Sequence, residues 1–302
     1  MTGTRPRTGL LAGLGYPVRL FRRFHRPVSA PDFERPEDYG LTAEPFGVVT
    51  RDGVTIRGWT FTPESPWGVV ILCHARSASK SRVLRQAELL HRRGLTVVTF
   101  DFRGCGESDT ARRIGGNRLQ SPLRDLEAVS ARVAELHGAD PVLGGRVALM
   151  GCSFGGNMVI AHAGTAGVHY PALVLDSTPL VRWADMLREL LRSERRGSPS
   201  PRLRAVADRA VVRAVVLSTR ADVLYRLARR SAGNLARTPL LLIVGERDTL
   251  FDVEEGCRFL DRYYAGPREV WRVGRGRHLT NHVVDSDVYG ERIVSFLRAT
   301  FP

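Results

Sequence analysis

Hydrophobic and polar residues alternate along two short stretches near residue 50. Residues 46–50 and 54–61 alternate with a period of two on either side of Arg51-Asp52-Gly53, a sequence typical of a tight turn. Period-two alternation places every second side chain on one face of a strand. The pattern therefore predicts an antiparallel hairpin.

Beyond the hairpin, continuous apolar runs alternate with segments of helical spacing. The runs that predict buried strands are 67–73, 95–100, 147–150, 172–176, 239–244 and 269–273. The segments that predict helices are 83–91, 123–136, 253–264 and 287–299, together with the residues that follow 153. Apolar strands in alternation with helices predict an α/β fold, with a mostly parallel sheet covered on both faces.

Residues 179–236 interrupt this alternation. They have helical spacing, are rich in arginine, and contain Gly197-Ser198-Pro199-Ser200-Pro201, which divides them into at least two helical pieces. We expect this segment to form a helical cap or lid. The α/β core is then formed by residues 45–178 and 237–302.

Residues 1–44 precede the core as a basic N-terminal arm. The apolar run at 10–18 is too short for a transmembrane helix, and it lacks an uninterrupted signal-peptide core and a small-residue cleavage site. We therefore expect the arm to be retained. Five apolar residues recur at helical spacing, so the arm either packs on its own domain, which we favour, or lies on a membrane surface. They are Leu10, Leu14, Val18, Phe21 and Phe24.

Length and charge limit the classes of function. A chain of 302 residues with 43% hydrophobic content can bury one sizeable core. The net charge of +14 is uneven: residues 1–30 contribute +6 and residues 182–237 contribute +9, which leaves −1 for the remainder. Lys80 is the only lysine among 45 basic residues, which indicates a coding bias toward arginine. Because no nucleic-acid-binding motif accompanies the charge, we expect no nucleic-acid partner.

The cysteines argue against a disulfide framework and against a zinc site. Cys73, Cys105, Cys152 and Cys257 are widely spaced and form no C-x-x-C pair. The absence of paired cysteines favours a reducing, cytoplasmic location. The basic arm adds the alternative of peripheral contact with a membrane surface. We expect no metal and no cofactor, and we expect Cys152 to be a buried thiol rather than a reactive one.

A candidate nucleophile lies at the predicted strand-to-helix junction. Residues 151–155, Gly-Cys-Ser-Phe-Gly, match G-x-S-x-G, in which the glycines permit the strained turn that exposes a serine oxygen. The preceding apolar run and the following helical spacing are the context that this motif needs. Ser153 would lie at the first turn of a helix, where free N–H groups and the helix dipole favour an oxyanion. We expect Ser153 to be a nucleophile rather than part of a structural glycine turn.

A serine nucleophile needs a base, and the base needs a carboxylate that fixes its tautomer. His278 lies in a Gly- and Arg-rich loop five residues beyond a predicted strand, and Asp248 follows the predicted strand at 239–244. We favour these two residues as base and acid. His282 remains an alternative base, and Asp176 and Glu246 remain alternative acids.

The chain order Ser153, Asp248, His278 is the order found in α/β-hydrolases. From about residue 45 to its end, the sequence resembles capped serine hydrolases of that superfamily, related to monoglyceride lipases, serine aminopeptidases and acylaminoacyl-peptidase-like esterases. Residues 101–108, DFRGCGES, are similar to the family's D-x-R-G-x-G-x-S segment, and residues 72–75, LCHA, to its strand-H-G loop. The resemblance implies an α/β-hydrolase fold: a mostly parallel, doubly wound sheet with an N-terminal antiparallel hairpin and a helical cap insertion.

The resemblance also implies an oxyanion hole. Its donors would be the backbone N–H groups of Phe154 and Arg76. The sequence departs from the family at Ala75, where glycine is usual, and alanine tolerates fewer backbone conformations. We expect His74, in the same loop, to be structural.

These residues predict the hydrolysis of a carboxylic ester, thioester or amide through an acyl-serine intermediate. His278 would act as base and then as acid, with Asp248 orienting it. A serine nucleophile excludes the aspartate-dependent routes that the resemblance assigns to haloalkane dehalogenases and epoxide hydrolases. An acyltransferase or a cofactor-free haloperoxidase on the same triad remains an alternative, as does a catalytically silent receptor or scaffold. The expected partner is a small-molecule acyl substrate, and the basic arm and cap favour anionic substrates or anionic lipid surfaces.

Overall fold

Strands and helices alternate along the chain, as the apolar pattern predicts. The computed structural model describes residues 34–110, 121–193, 201–219 and 222–302, so most of the predicted N-terminal arm lies outside the described residues. The strands are β1 (Glu44–Val49), β2 (Thr55–Phe61), β3 (Gly68–Cys73), β4 (Leu95–Phe100), β5 (Val147–Cys152), β6 (Leu173–Asp176), β7 (Leu240–Gly245) and β8 (Arg268–Val273). The helices are α1 (Leu84–His91), α2 (Ser121–His137), α3 (Phe154–Ala163), α4 (Trp183–Ser193), α5 (Pro201–Thr219), α6 (Asp222–Ala232), α7 (Val253–Tyr263), α8 (Asn281–Val284) and α9 (Ser286–Thr300).

The described strands form one eight-stranded sheet in the order β1-β2-β4-β3-β5-β6-β7-β8. β1 and β2 pair antiparallel with Val49 opposite Thr55, which confirms the predicted hairpin, and β2 pairs antiparallel with β4. From β4 to β8 all neighbouring strands are parallel. The carboxyl ends of these parallel strands therefore meet at one edge of the sheet, where open α/β sheets carry their sites.

Buried side chains cover both faces of the sheet. All six residues of β3 are buried, and successive residues point to opposite faces. Val69 and Ile71 belong to an apolar cluster that includes Met158 of α3, whereas Val70 and Leu72 belong to a second cluster with residues of α1 and α9. Helices thus pack on both faces, as expected for a doubly wound sheet.

The helix α3 is buried along its whole length. All ten of its residues are buried, and only Asn157 and His162 among them are polar, as expected for a helix with no face toward solvent. Its N-terminus lies directly at the end of β5, so the strand and the helix together fix the turn between them.

Three described helices, α4, α5 and α6, lie between β6 and β7 in the chain, within the segment predicted to form a cap. Leu187 and Leu191 of α4 pack with Val212 and Val215 of α5 in a small separate cluster. The Gly- and Pro-rich break lies almost entirely outside the described residues. The helical character of the segment agrees with its sequence pattern, while its role as a cap stays a prediction. No helix in the described ranges combines the length and apolar character needed to cross a bilayer.

Candidate active site

Ser153 lies in the sharp turn between β5 and α3. Its backbone has φ 51° and ψ −112°, a conformation that is strained for a residue with a side chain. Its N–H donates a hydrogen bond of 2.8 Å to the carbonyl oxygen of Asp176 on the neighbouring strand. A Cβ atom on Gly155 would clash with the carbonyl oxygens of Cys73 and His74, so the turn needs glycine at this position. These contacts hold the nucleophile candidate on rigid backbone.

The structure brings Ser153, His278 and Asp248 together. The Oγ atom of Ser153 lies 3.0 Å from Nε2 of His278, and Nδ1 of His278 lies 2.7 Å from Oδ2 of Asp248. Because the carboxylate can only accept, Nδ1–H donates to it, and Nε2 is left to accept the serine proton. The pairs are separated by 125 and 30 positions in the sequence, so the tertiary fold creates both contacts.

The carboxylate of Asp248 is fully shielded from solvent. Its side chain is 0% exposed, and its second oxygen, Oδ1, accepts a 2.9 Å bond from the N–H of Leu250. The imidazole of His278 is 22% exposed, and the ring of Phe251 meets it edge-on at a centroid separation of 6.1 Å. A buried carboxylate at this position stabilises the imidazolium that forms when histidine takes a proton.

The alternative base, His282, and the alternative acids, Asp176 and Glu246, have contacts or exposure that differ from those of His278 and Asp248. His282 lies in α8, and its Nδ1 accepts a 3.1 Å hydrogen bond from Nε2 of Gln86, while burial lowers the pKa of the ring. The carboxylate of Asp176 is hydrogen-bonded to hydroxyl and amide groups, and Glu246 is exposed. Of the candidate bases and acids, His278 is the one that contacts Ser153, and Asp248 is the one that contacts His278.

His74 orients the loop that follows β3. Its ring is 1% exposed, its Nδ1–H donates to the Ala75 carbonyl at 2.7 Å, and its Nε2 accepts from the N–H of Phe102 at 3.0 Å. The C=O and N–H of a trans peptide point in opposite directions. Because the Ala75 carbonyl is directed at the His74 ring, the Arg76 N–H is directed away from that ring.

Ala75, which replaces the glycine usual in the family, does not adopt a positive φ. The non-glycine residues with positive φ in the described ranges are Ser77, Ser153, Ser177 and Leu279, so Ala75 does not need the left-handed region and the strain lies at Ser77, with φ 57°. The guanidinium of Arg76 lies 5.5 Å from the ring centroid of Trp183 in α4. The loop after β3 therefore contacts the inserted helices.

The second candidate oxyanion donor is Phe154. It is the first residue of α3, and the first N–H groups of a helix have no intrahelical acceptor. The same end of the helix carries the positive end of the helix dipole. A negative oxygen beside Ser153 would be stabilised by both effects.

Lys80 anchors the loops after β3 and β4 to each other, a role not predicted from the sequence. Its ammonium group is fully buried, 2.8 Å from Oδ2 of Asp101 and 2.8 Å from Oε2 of Glu107, and it lies 4.2 Å from the ring centroid of Trp59. Its backbone N–H also donates to Asp101 at 2.7 Å. The chain's single lysine, separated from the D-x-R-G stretch by one predicted strand, was the only sequence signal for this contact.

Ser177, Asn281 and Tyr289 were also missed, and they surround the carboxylate of Asp176 at the end of β6. Oδ1 of Asp176 accepts from Ser177 Oγ at 2.9 Å and from Asn281 Nδ2 at 2.7 Å, and Oδ2 accepts from the Tyr289 hydroxyl at 2.7 Å. Burial raises the pKa of Tyr289, so the phenol stays protonated and donates. A carboxylate at the end of a predicted buried strand was the only sign of this network in the sequence.

The site contains a thiol beside the nucleophile. Cys152 is 1% exposed, and burial raises its pKa well above that of a free thiol, which confirms the expectation of a buried residue. Within the described residues, no group of three or more His, Cys, Asp or Glu side chains is placed to hold a metal ion.

Sequence comparisons relate the chain to known proteins. The family model described as serine aminopeptidase, S33, matches residues 64–281, more than two thirds of the chain. The uncharacterised protein YfhR of Salmonella typhi is 32% identical over 158 residues, which cover 46% of this chain and 51% of that protein. The polyketide transferase grgF of a Penicillium species is 30% identical over 122 residues, 38% of each chain. The chain thus spans about half or less of the length of these curated relatives.

Solved structures share the fold over nearly the whole chain. The esterase Pf2001 of Pyrococcus furiosus has a TM-score of 0.66 at 22% identity, with 92% of this chain and 100% of that chain covered. The structure of the α/β-hydrolase GrgF from Penicillium has a TM-score of 0.64 at 19% identity, with 86% and 99% covered. At these identities the likeness concerns the fold.

Proposed function

The chain belongs to the serine aminopeptidase (S33) family and has the α/β-hydrolase fold, and from this premise we propose that it hydrolyses a carboxylic ester, thioester or amide. The reaction proceeds through an acyl-serine intermediate on Ser153. The observation that carries this proposal is the unbroken chain of hydrogen bonds from Ser153 Oγ through His278 to Asp248, at 3.0 and 2.7 Å.

The first half of the reaction forms the acyl-serine. Nε2 of His278 takes the hydroxyl proton while Oγ of Ser153 attacks the carbonyl carbon, which gives a tetrahedral intermediate with a negative oxygen. The imidazolium, stabilised by Asp248, then gives its proton to the leaving alcohol, thiol or amine as the scissile bond breaks. In the second half, His278 takes a proton from water as the water oxygen attacks the acyl carbon, which gives a second tetrahedral intermediate. The bond between this carbon and Ser153 Oγ then breaks, and the imidazolium of His278 returns the proton to Oγ, which releases the carboxylic acid.

The developing oxyanion needs donors that are already in place. The Phe154 N–H at the start of α3 and the Arg76 N–H, directed away from His74, are the two proposed donors. A donor of this kind contributes roughly 10²- to 10³-fold in kcat in the enzymes where one has been removed.

The substrate class favoured by charge is anionic. Exposed arginines on α5 and α6 contribute to a basic surface on the inserted helices, which we propose to act as a lid over an acyl substrate with an anionic group or in an anionic lipid surface. Examples are Arg209, Arg213, Arg226 and Arg230. The contact between Arg76 and Trp183 supports this placement, because it joins the loop after β3 to α4.

Acyl transfer is the second candidate function. It is favoured by the similarity to the Penicillium protein named as a polyketide transferase. The acyl-serine would be the same, and an alcohol, amine or thiol would replace water in the second step.

A fluorophosphonate probe tests the nucleophile directly. The probe forms a covalent phosphonyl-serine, so we expect stoichiometric labelling of the wild type at Ser153, and no labelling or turnover in Ser153→Ala. Ser231→Ala, a matched change at a buried serine of α6, should be labelled like the wild type. Labelling that persists in Ser153→Ala would disprove the assignment, and an unlabelled wild type would favour the silent receptor or scaffold.

A substrate panel separates hydrolysis from transfer. p-Nitrophenyl esters of several chain lengths, acyl-CoAs and aminoacyl anilides should be offered with and without an acceptor alcohol. Free carboxylic acid as the main product supports the hydrolase, whereas acylated acceptor at the expense of the free acid supports the transferase.

A further inference from the structure

The buried carboxylate of Asp176 is not part of the Ser153–His278–Asp248 chain, yet it is built into the same region. Asp176 is 0% exposed, and its two oxygens accept three hydrogen bonds, from Ser177, Asn281 and Tyr289. A buried charge is costly unless its acceptor positions are satisfied, so these three donors determine the position of the carboxylate closely.

Ser177 connects this carboxylate to the loop that carries His278. Its Oγ donates to Asp176, and it accepts hydrogen bonds from the N–H of Leu279 at 3.1 Å and from Nδ2 of Asn281 at 3.1 Å. Leu279 directly follows His278. One hydroxyl group therefore holds the backbone on the C-terminal side of the base.

Both residues joined by the Leu279–Ser177 hydrogen bond have strained backbones. Ser177 has φ 51° and Leu279 has φ 61°, in the left-handed region that residues with side chains rarely adopt. Such conformations persist only where the surrounding structure holds them. Removal of the shared hydrogen bond should therefore allow the backbone beside His278 to relax.

The same short segment also contacts the nucleophile turn. The carbonyl of Asp176 accepts the 2.8 Å hydrogen bond from the N–H of Ser153, and the side chain of Thr178 occupies the space next to Gly156, where a Cβ would clash. Residues 176–178 thus contact the backbone on both sides of the Ser153–His278 hydrogen bond.

We propose that Asp176 and Ser177 are positioning residues that hold the loop of His278 in place relative to Ser153. This inference rests on the proposed function of Ser153 and His278. The side chains touch no reacting atom; they act by keeping Nε2 of His278 within hydrogen-bond distance of Ser153 Oγ. A displacement of about 1 Å in a catalytic group can cost roughly 10²-fold in rate.

Ser177→Ala and Ser177→Gly test the proposal together. Both remove the hydroxyl, but glycine adopts φ 51° without strain, so a folding defect confined to alanine is separated from the loss of the hydrogen bond. We expect both variants to lower kcat by about 10- to 100-fold at nearly unchanged KM. The rate of fluorophosphonate labelling of Ser153 should fall by a similar factor, because the probe needs the activated serine but little substrate binding.

Ser231→Ala is the matched control. Ser231 is 1% exposed, as buried as Ser177, and its Oγ donates to the Ala161 carbonyl away from the triad. Its kcat and labelling rate should equal those of the wild type, whatever the change in thermal unfolding temperature. Asp176→Asn, which keeps the side-chain volume but replaces one acceptor oxygen by a donor, should lower kcat in the same direction as the Ser177 variants.

The outcomes separate this inference from the proposed function. A folded Ser177→Gly protein with wild-type kcat and labelling rate overturns the inference while the function stands. An equal loss of kcat in Ser231→Ala also overturns it, since the effect would then follow general destabilisation. A wild type that is not labelled contradicts the proposed function itself, and the inference with it.

Discussion

The nucleophile turn (residues 151–156) and the histidine loop (residues 274–280) supply the two ends of one hydrogen bond but are held in different ways. The nucleophile turn is flanked directly by β5 and by α3, whose ten residues are all buried. The histidine loop follows β8, an edge strand with five of six residues at least partly exposed, and precedes the four-residue helix α8. The nucleophile Ser153 is thus held mainly by the buried strand and helix on either side of it. The base His278 is held mainly by side chains distant in the sequence, Asp248 and Ser177.

The glycines of the two regions show the same difference. A Cβ on Gly155 would clash with the backbone carbonyl of Cys73 and approach that of His74 to 2.8 Å, and backbone in a central strand cannot move cheaply. A Cβ on Gly276 would clash mainly with the side-chain oxygen of Asn281, and any movement of that amide would disturb its hydrogen bonds to Asp176 and Ser177. Substitutions in the nucleophile turn should therefore lower mainly the free energy of unfolding, whereas substitutions in the histidine loop should lower mainly kcat.

The largest expected effect concerns the identity of the base and its acid. His278→Ala and Asp248→Asn should each lower kcat by about 10⁴-fold, the loss seen in serine proteases when the correct tautomer is lost. His282→Ala should lower kcat less than about tenfold, since its ring is hydrogen-bonded to Gln86. Steady-state kinetics on one activated ester measures all three. A larger loss for His282→Ala than for His278→Ala would show that the wrong histidine is assigned.

The next prediction separates folding from catalysis. Gly155→Ala should lower the free energy of unfolding by about 3 kcal/mol or more, because the added methyl group meets backbone. Gly276→Ala should lower it less, by about 1 to 2 kcal/mol, because the methyl group displaces mainly a side chain rather than backbone. It should also lower kcat, because the displaced Asn281 would no longer hold Asp176 and Ser177. Urea unfolding and kcat should be measured for both variants. Equal losses of stability would contradict the distinction drawn between the two regions.

The smallest expected effect concerns charge. The nucleophile turn carries no charged residue, whereas the histidine loop carries the exposed Arg275 and Arg277. Surface attraction is screened over about 8 Å at physiological salt. We therefore expect kcat/KM for an acyl-CoA, or for an ester in anionic vesicles, to fall as salt rises, and Arg277→Gln to lower it about two- to fivefold at low salt.

A neutral short-chain ester is the control for the charge prediction. Its kcat/KM should be nearly independent of salt and of Arg277→Gln, because hydrophobic binding is not weakened by moderate salt. An equal salt response for the charged and neutral substrates would mean that the basic surface is an ordinary solvated one.

Most strand positions could be predicted from the sequence because each is a local signal. β4 occupies residues 95–100, the predicted apolar run, and β6 begins one residue later than predicted. α1 begins at Leu84 because a tighter turn, Lys80–Val83, comes first around the buried Lys80. The N-terminal arm and the break in the inserted segment stay predictions, since they lie wholly or largely outside the described residues.

The sequence by itself determined the alternation of strands and helices, the nucleophile turn and the chain order Ser153, Asp248, His278, because apolar periodicity and a five-residue motif act over a few neighbouring residues. It favoured His278 over His282 as the base, but spacing alone could not show which of the two contacts Ser153, because they lie only four residues apart. Only the tertiary structure shows that His278 lies beside Ser153 and that Ser177 contacts both Asp176 and the loop of His278. The contacts of Ser153 with His278 and of Ser177 with that loop join residues more than 100 positions apart, and their geometry depends on which strands are neighbours and how their ends align.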